Sequence, residues 1–278
     1  MSASPLLAVA VSGRGLVEPG EPVLAADDEG FTRGRAAFET MRVYSGRPFR
    51  FQQHLARLAV SAERIGLEPP DAAEVERLAA LALEHAGTPE AVLRLYWTPG
   101  PPGGEHCAIA LVSAIPAWIE EARVRGQRLV SLLQPRRSAP WLLPATKSTS
   151  YAVSIAAEAE AKARGADDAI FVDADGIVLE GPVTNIWWRE GDVLLTPSLE
   201  VGILAGETRA ALLELAAQTA QVVAEGVFPL ERLLAADEVF TSSSVRELMP
   251  VVAVDGRPIP RGPAAVALQE TLRQEARA

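Results

Sequence analysis

The spacing of apolar positions changes several times along the chain, and each change marks an element. Gly34–Tyr44 reads as a strand carrying Phe38, Met41, Val43 and Tyr44, closed by a turn at Ser45-Gly46. Leu55, Leu58, Ala62 and Ile65 then recur at helical spacing until Gly66 ends the run. A second helix is predicted over Ala72–His85, with Val75, Leu78 and Leu81 on one face. Two strands, Ala91–Thr98 and Cys107–Ala114, flank a Pro/Gly-rich bend at Pro99–Gly104, and Gln127–Gln134 reads as another strand. Pro135–Pro144 has three prolines and no period, the pattern of a linker. A helix over Tyr151–Arg164 follows, stopped by Gly165. Strands then crowd together at Asp168–Val172, Ile177–Leu179, Thr184–Trp188 and Val193–Thr196, with a turn at Asp173–Gly176. Gly206-Glu207-Thr208 opens a helix running through Leu212 and Leu215. Strands near Glu238–Thr241 and Val251–Val254 precede a C-terminal helix. Strand runs with inserted helices predict an α+β protein of two lobes. Residues 1–115 form the smaller N-terminal one, 116–144 an interdomain segment and 145–278 the C-terminal one.

Composition narrows the function classes. The chain has 278 residues, 49% hydrophobic and 22% charged, enough for a sizeable core without staples. Its net charge of −10 argues against a nucleic-acid partner, which needs a basic surface, but leaves room for a local phosphate pocket. One cysteine, Cys107, allows no internal disulfide and fits a reducing compartment. Residues 1–10 have no basic stretch of the secretory kind, and apolar runs such as Cys107–Ile115 are too short to span a bilayer. A cytoplasmic protein with no membrane partner is therefore expected. The three histidines lack metal-ligand spacing, so no metal site is expected.

Four stretches carry candidate chemistry. Lys147 lies between the Pro-rich segment and an Ala-rich helix; it is either a solvated charge or an amine available for Schiff-base chemistry. Glu180 follows two apolar residues and precedes Gly-Pro and an aromatic strand, which suits a turn acid or a site acid. Gly206-Glu207-Thr208 places glycine and a hydroxyl at a helix start, an ordinary cap or an anion site. Thr241-Ser242-Ser243-Ser244 clusters hydroxyls at a strand end.

These stretches also occur in a familiar order. Phe38–Tyr44, His54–Leu58, Lys147–Tyr151 with its helix, Gly165–Asp168, Glu180-Gly181 with Asn185, Gly202–Arg209 and Ala236–Phe240 together resemble the class IV pyridoxal-phosphate aminotransferases. That family includes branched-chain and D-amino acid aminotransferases and 4-amino-4-deoxychorismate lyase. The resemblance covers about residues 30 to 255. It implies the two-lobed fold type IV architecture, with a small N-terminal α/β lobe and a larger C-terminal lobe around a mixed, barrel-like β core. It implies pyridoxal 5'-phosphate as cofactor, with Lys147 bonding its aldehyde and moving the substrate α-proton. Glu180 matches the acid at the ring nitrogen, and Asn185 is expected to support it. Arg57 matches the phosphate arginine. Glu207 and Thr208 match the helix start at the phosphate, with the Glu207 carboxylate turned away. Ser243 and Ser244 match the hydroxyl-bearing loop near the phosphate, and Tyr151 a tyrosine near the ring hydroxyl.

Departures from the family pattern concern the substrate side. Arg33 and Arg35 stand before the Phe38 strand, where the family places substrate-pocket residues; they are either a surface pair or a carboxylate clamp. Pro99 occupies the place of an arginine that holds a carboxylate in the D-amino acid and lyase branches. Arg94, on the strand face opposite Leu93 and Leu95, is a candidate substitute. Phe38, Arg33, Arg35 and Arg94 are thus the candidate substrate residues. The resemblance implies a homodimeric transaminase joining an amino donor and a keto-acid acceptor; the supply of arginines for a carboxylate and the short chain, typical of the D-amino acid branch, favour D-amino acids. The alternative is the lyase, giving 4-aminobenzoate and pyruvate. The loops Pro99–Glu105 and Pro135–Pro144 are expected to set side-chain specificity.

Overall fold

A computed structural model describes residues 5–134, 145–219 and 221–278, so the predicted linker Pro135–Pro144 lies outside the described residues. The chain forms two compact units. The first comprises the chain up to Pro116 together with Thr146–Tyr151, and the second the rest.

The first unit is built on a six-stranded antiparallel sheet. In chain order its strands are β1 (Leu6–Val11), β2 (Gly15–Val17), β3 (Ala37–Tyr44), β4 (Arg47–Pro48), β5 (Ala91–Thr98) and β6 (Cys107–Ser113). Across the sheet they run β2-β1-β6-β5-β3-β4. Two helices, α2 (Phe51–Arg64) and α3 (Ala72–Ala86), pack on it; the one-turn α1 (Glu29–Thr32) precedes β3. The α3 ends follow elementary chemistry. Asp71 accepts from the Ala73 N–H at 3.0 Å, and Gly87 closes the helix at φ 59°. By contrast α2 starts after Arg50, itself left-handed at φ 55° and without a side-chain cap. The helix therefore begins four residues before its first periodic leucine, Leu55.

Alternation divides the β3 side chains. Ala37, Met41 and Val43 join Leu58, Leu78, Leu93 and Leu95 in the core under the helices. Each of the buried Met, Val and Leu side chains contributes about 1.5–3 kcal/mol, the Ala37 methyl less. Glu39 shares their parity, so a carboxylate enters that core face. Phe38 and Thr40 take the opposite face, with Arg94 and Tyr96 of the neighbouring β5.

The second unit holds an eight-stranded mixed sheet. Its strands are β7 (Gln127–Leu133), β8 (Asp168–Val172), β9 (Asn185–Glu190), β10 (Val193–Pro197), β11 (Val222–Gly226), β12 (Glu238–Ser243), β13 (Glu247–Val254) and β14 (Arg257–Pro258). The order is β11-β10-β9-β12-β13-β7-β8, with β14 paired to β13. The β13–β7, β7–β8 and β10–β11 pairings are parallel; the others are antiparallel. The helices are α4 (Trp118–Arg125), α5 (Ala152–Ala163), α6 (Glu207–Gln218), α7 (Leu230–Leu234) and α8 (Ala264–Arg277). Trp188 packs edge-on against Phe228 on one face, and Trp187 stacks on Phe240 at 6.1 Å on the other.

Several predicted boundaries move: the strand predicted from Gly34 begins at Ala37, and the helix predicted over Tyr151–Arg164 runs from Ala152 to Ala163. Ile177–Leu179 makes only isolated bridges, Val172 to Val178 and Ile177 to Pro229. The strand predicted from Thr184 begins at Asn185. Glu238–Thr241 and Val251–Val254 are the visible parts of one longer hairpin, β12–β13, which pairs Ser243 with Glu247.

Candidate active site

In the first unit, Lys147 is held by its backbone. Ser148 bridges Ala37 of β3, the Phe38 N–H donates to the Lys147 carbonyl at 3.1 Å, and the Thr149 N–H donates to Ala36 at 2.9 Å. From α2, the Ser61 hydroxyl accepts the Lys147 N–H at 3.2 Å. Gly34 makes the close approach possible: at φ 67°, a Cβ there would lie 2.9 Å from Ser150 Oγ. The lysine Nζ lies 4.2 Å from the Phe38 ring centroid. Tyr151 meets Phe38 edge-on at 5.3 Å, and Tyr96 stacks against it at 5.8 Å. Burial pushes the Tyr96 hydroxyl above its ordinary range, against a smaller opposing effect of Arg94. Tyr96 and Ser61 were not among the predicted site residues. Strand alternation, which sets Tyr96 on the face of Arg94, was the available signal for Tyr96; Ser61 had none.

Arg57 is drawn to a buried acid. Its Nε and Nη2 each donate to Glu39 at 2.7 Å, and His54 Nδ1 meets the same carboxylate at 2.6 Å. Burial alone pushes the Glu39 carboxyl up, the largest single effect. The hydrogen bonds and charges of Arg57 and His54 together outweigh it and hold the group at about 2. Glu39 too is a residue the sequence reading did not single out.

The three candidate substrate arginines sit differently. Arg35 is engaged by Glu29 at 2.6 Å and by the carbonyls of Ile65 and Gly66 at 3.1 and 2.6 Å, so it clasps the end of α2. Arg33 is exposed, with Glu29 at 3.5 Å. Arg94 Nη1 donates to Ser113 at 2.9 Å, reaching along the sheet toward Val92 and away from Tyr96.

In the second unit, one carboxylate organises the neighbouring segments. Both Glu180 oxygens accept the Leu204 N–H at 3.1 Å, and Asn185 Nδ2 donates to Glu180 at 3.3 Å and to the Leu204 carbonyl at 3.0 Å. Asn185 also pairs with Ser242 across β9 and β12, so Glu180, the loop before α6 and the end of β12 share one hub. Gly206 then starts α6 with no side-chain cap. A Cβ on it would lie 2.0 Å from Asn185 Oδ1, so only glycine lets the helix begin there. Glu207 is half-buried and Thr208 buried in its first turn. Ser243 and Ser244 are half-buried at the β12–β13 turn, where Ser243 Oγ accepts the Arg246 N–H at 3.4 Å.

This arrangement fits an anionic cofactor with a protonatable ring. It offers an uncapped start of a 12-residue helix, cradled by glycine, next to a fixed carboxylate. Among the described residues, no His, Cys, Asp and Glu group is placed to hold a metal ion. No described helix is long and apolar enough to cross a membrane.

The family model for class IV amino-transferases matches residues 36–254, and the chain belongs to that family of pyridoxal-phosphate enzymes. Among its relatives is the bifunctional aminodeoxychorismate lyase / D-amino acid transaminase of Mycobacterium tuberculosis, 34% identical over 271 residues, covering 92% of this chain and 94% of that one. The aminodeoxychorismate lyase of Bacillus subtilis is 30% identical over 254 residues, covering 88% and 86%. Among solved structures, a hypothetical aminotransferase from Mycobacterium tuberculosis, in an alpha-ketoglutarate and PMP bound form, superposes with a TM-score of 0.91. It is 34% identical, with 97% of this chain and 98% of that chain covered. The likeness in fold extends over both units.

Proposed function

We propose that this protein is a transaminase that moves an amino group from an amino acid, preferentially of the D series, to a 2-keto acid with pyridoxal 5'-phosphate. The observation that carries the reading is the Glu180 carboxylate, fixed by the Leu204 N–H and Asn185 next to an uncapped helix start. When bound, the cofactor supplies an aldehyde that bonds amines and a ring that draws electrons from the substrate α-carbon. Glu180 is the acid that holds the ring nitrogen protonated. The α6 start at Glu207 and Thr208, with Ser243 and Ser244, holds the phosphate, and Arg57 adds positive charge to it. Tyr151 is the partner of the ring hydroxyl. Lys147 would bond the cofactor's aldehyde, and its Nζ would be the base that takes the substrate α-proton and returns it. That role requires an unprotonated amine for part of the cycle. Backbone bonds to Phe38 and Ser61 fix the point from which the lysine side chain extends.

On the substrate side, Phe38 and Tyr96 form an aromatic wall. Exposed Arg33 is the leading carboxylate candidate; Arg94 would first have to leave Ser113 and turn toward Tyr96, and Arg35 would have to break three bonds to take part. We place the enzyme in the cytoplasm as a homodimer; a monomeric mass at micromolar concentration would contradict the dimer.

A second reading, 4-amino-4-deoxychorismate lyase, is favoured by the lyase names of two relatives. Serial addition of single D- and L-amino acids to the loaded protein, followed by absorbance, with Lys147→Ala alongside, separates the two. Conversion of the cofactor to its amine form by D-amino acids, absent in the variant, supports the transaminase. No conversion with either series, together with release of 4-aminobenzoate and pyruvate from 4-amino-4-deoxychorismate without an acceptor, replaces it with the lyase.

A further inference from the structure

We infer that Glu247 is a positioning residue that holds the Ser243–Ser244 turn in the shape that receives the cofactor phosphate; this rests on the phosphate role proposed above for those serines. Glu247 has φ 54°, a left-handed conformation that side-chain-bearing residues rarely adopt and that glycine would satisfy. It sits where β13 leaves the turn, paired with Ser243. Its side chain is fully buried, at 0% exposure. A left-handed turn needs no buried carboxylate, so the acid answers to something else.

What surrounds it shows what it does. Its carboxylate accepts from Arg123 Nη2 at 3.0 Å, Gln269 Nε2 at 2.5 Å and Arg273 Nη2 at 2.6 Å. These donors come from α4 and α8, outside the hairpin. Two of them in turn grip the hairpin backbone. Arg123 donates to the Arg246 carbonyl at 2.7 Å and the Leu248 carbonyl at 3.1 Å, and Gln269 Oε1 accepts the Leu248 N–H at 2.9 Å. One carboxylate thus orients the groups that fix the residues on either side of it. Arg246 is held again by an ion pair to Asp168 at 2.5 Å. Glu120 pairs with both arginines, so the two cations of the cluster are balanced by two anions. A strained residue persists only where its surroundings over-determine it, and such residues gather at ligand clamps. A turn ordered in advance avoids the entropy cost of ordering it on binding.

Titration of the cofactor-free protein with pyridoxal 5'-phosphate and, separately, with pyridoxal tests this, because both bond the lysine and only one carries a phosphate. Glu247→Gln and Glu247→Gly are compared with Ser243→Ala and Ser244→Ala, and melting of each cofactor-free form is recorded. The inference expects pyridoxal 5'-phosphate affinity to fall about tenfold or more in both Glu247 variants, with pyridoxal changed by less than about twofold. Equal losses for both ligands, or no loss for either, would overturn it, since a purely structural residue does not distinguish them. If the serine variants do not alter the preference for the phosphorylated form, the phosphate role of the turn fails, and the inference with it. If they alter it and Glu247→Gln does not, the inference alone fails. Should Glu247→Gly not fold, Glu247→Gln decides.

Discussion

Replacing Glu39 by Gln removes the negative charge at the centre of the His54–Glu39–Arg57 group while keeping its volume. The side chain is fully buried and receives two Arg57 donors at 2.7 Å and His54 at 2.6 Å. A carboxyl lowered from the ordinary 4.5 to about 2 corresponds to about 3 kcal/mol favouring its ionised form at neutral pH. Breaking a buried pair by removing one member costs about 3–5 kcal/mol by mutational experience. The two routes agree, so Glu39→Gln should lower the stability of the first unit by about 3 kcal/mol at pH 7. Because the folded value lies below the unfolded one, the contribution is complete above about 4.5 and is lost as pH falls toward about 2. At pH 3 about 2 kcal/mol of it should be gone, narrowing the gap between wild type and variant to about 1 kcal/mol. The assay is urea unfolding read by hydrogen exchange in peptides covering β3 and α2, which confines the result to this unit. A difference below about 1 kcal/mol at pH 7, or a gap that widens in acid, would refute the reasoning.

Three further outcomes are expected. Gly206→Ala drives a Cβ to 2.0 Å from Asn185 Oδ1, so Asn185 must leave Glu180 and Leu204; cofactor affinity should fall about tenfold in an absorbance titration. Glu238→Ala removes the acceptor that caps α8 from β12, where it takes the Ala264 and Ala265 N–H groups at 3.0 and 2.8 Å; about 1–2 kcal/mol should be lost, with exchange rising first in α8. Asp28→Ala frees the segment before β3 from the end of β5, since Asp28 holds the Gly30 N–H and the Thr98 hydroxyl, each at 2.6 Å. Exchange protection over residues 28–35 should drop, with a stability loss of about 1–3 kcal/mol.

Periodicity served well where one face packs on one partner. The spacing of Leu55, Leu58 and Ala62 marked α2, and Val75 and Leu78 marked α3, because each helix lays one stripe on the first sheet. It served badly where burial is not striped. Helix α4 buries only Ile119 and Ala122 and leaves Val124 exposed among charged residues, so no apolar stripe announces it. Ile177–Leu179 has a strand's composition, yet its neighbours offer it only single bridges. The Ser-rich end of β12 read as a loop because its pairing with Glu247 is a property of the hairpin rather than of either segment.

The same division runs through the candidate site. Lys147, Glu180, Thr208 and Ser243 stood out as candidates because each is a chemically suited residue at a strand or helix end. What the sequence could not specify is which hydrogen-bonding groups converge in space. Glu39 draws Arg57 and His54 to itself, Ser61 holds the Lys147 amide, and Arg35 turns away to α2. Glu247 collects two arginines and a glutamine from α4 and α8. Local pattern reports the period of burial and the residues suited to turns. The pairing of buried charges is settled only when distant elements pack and each desolvated group must find a partner.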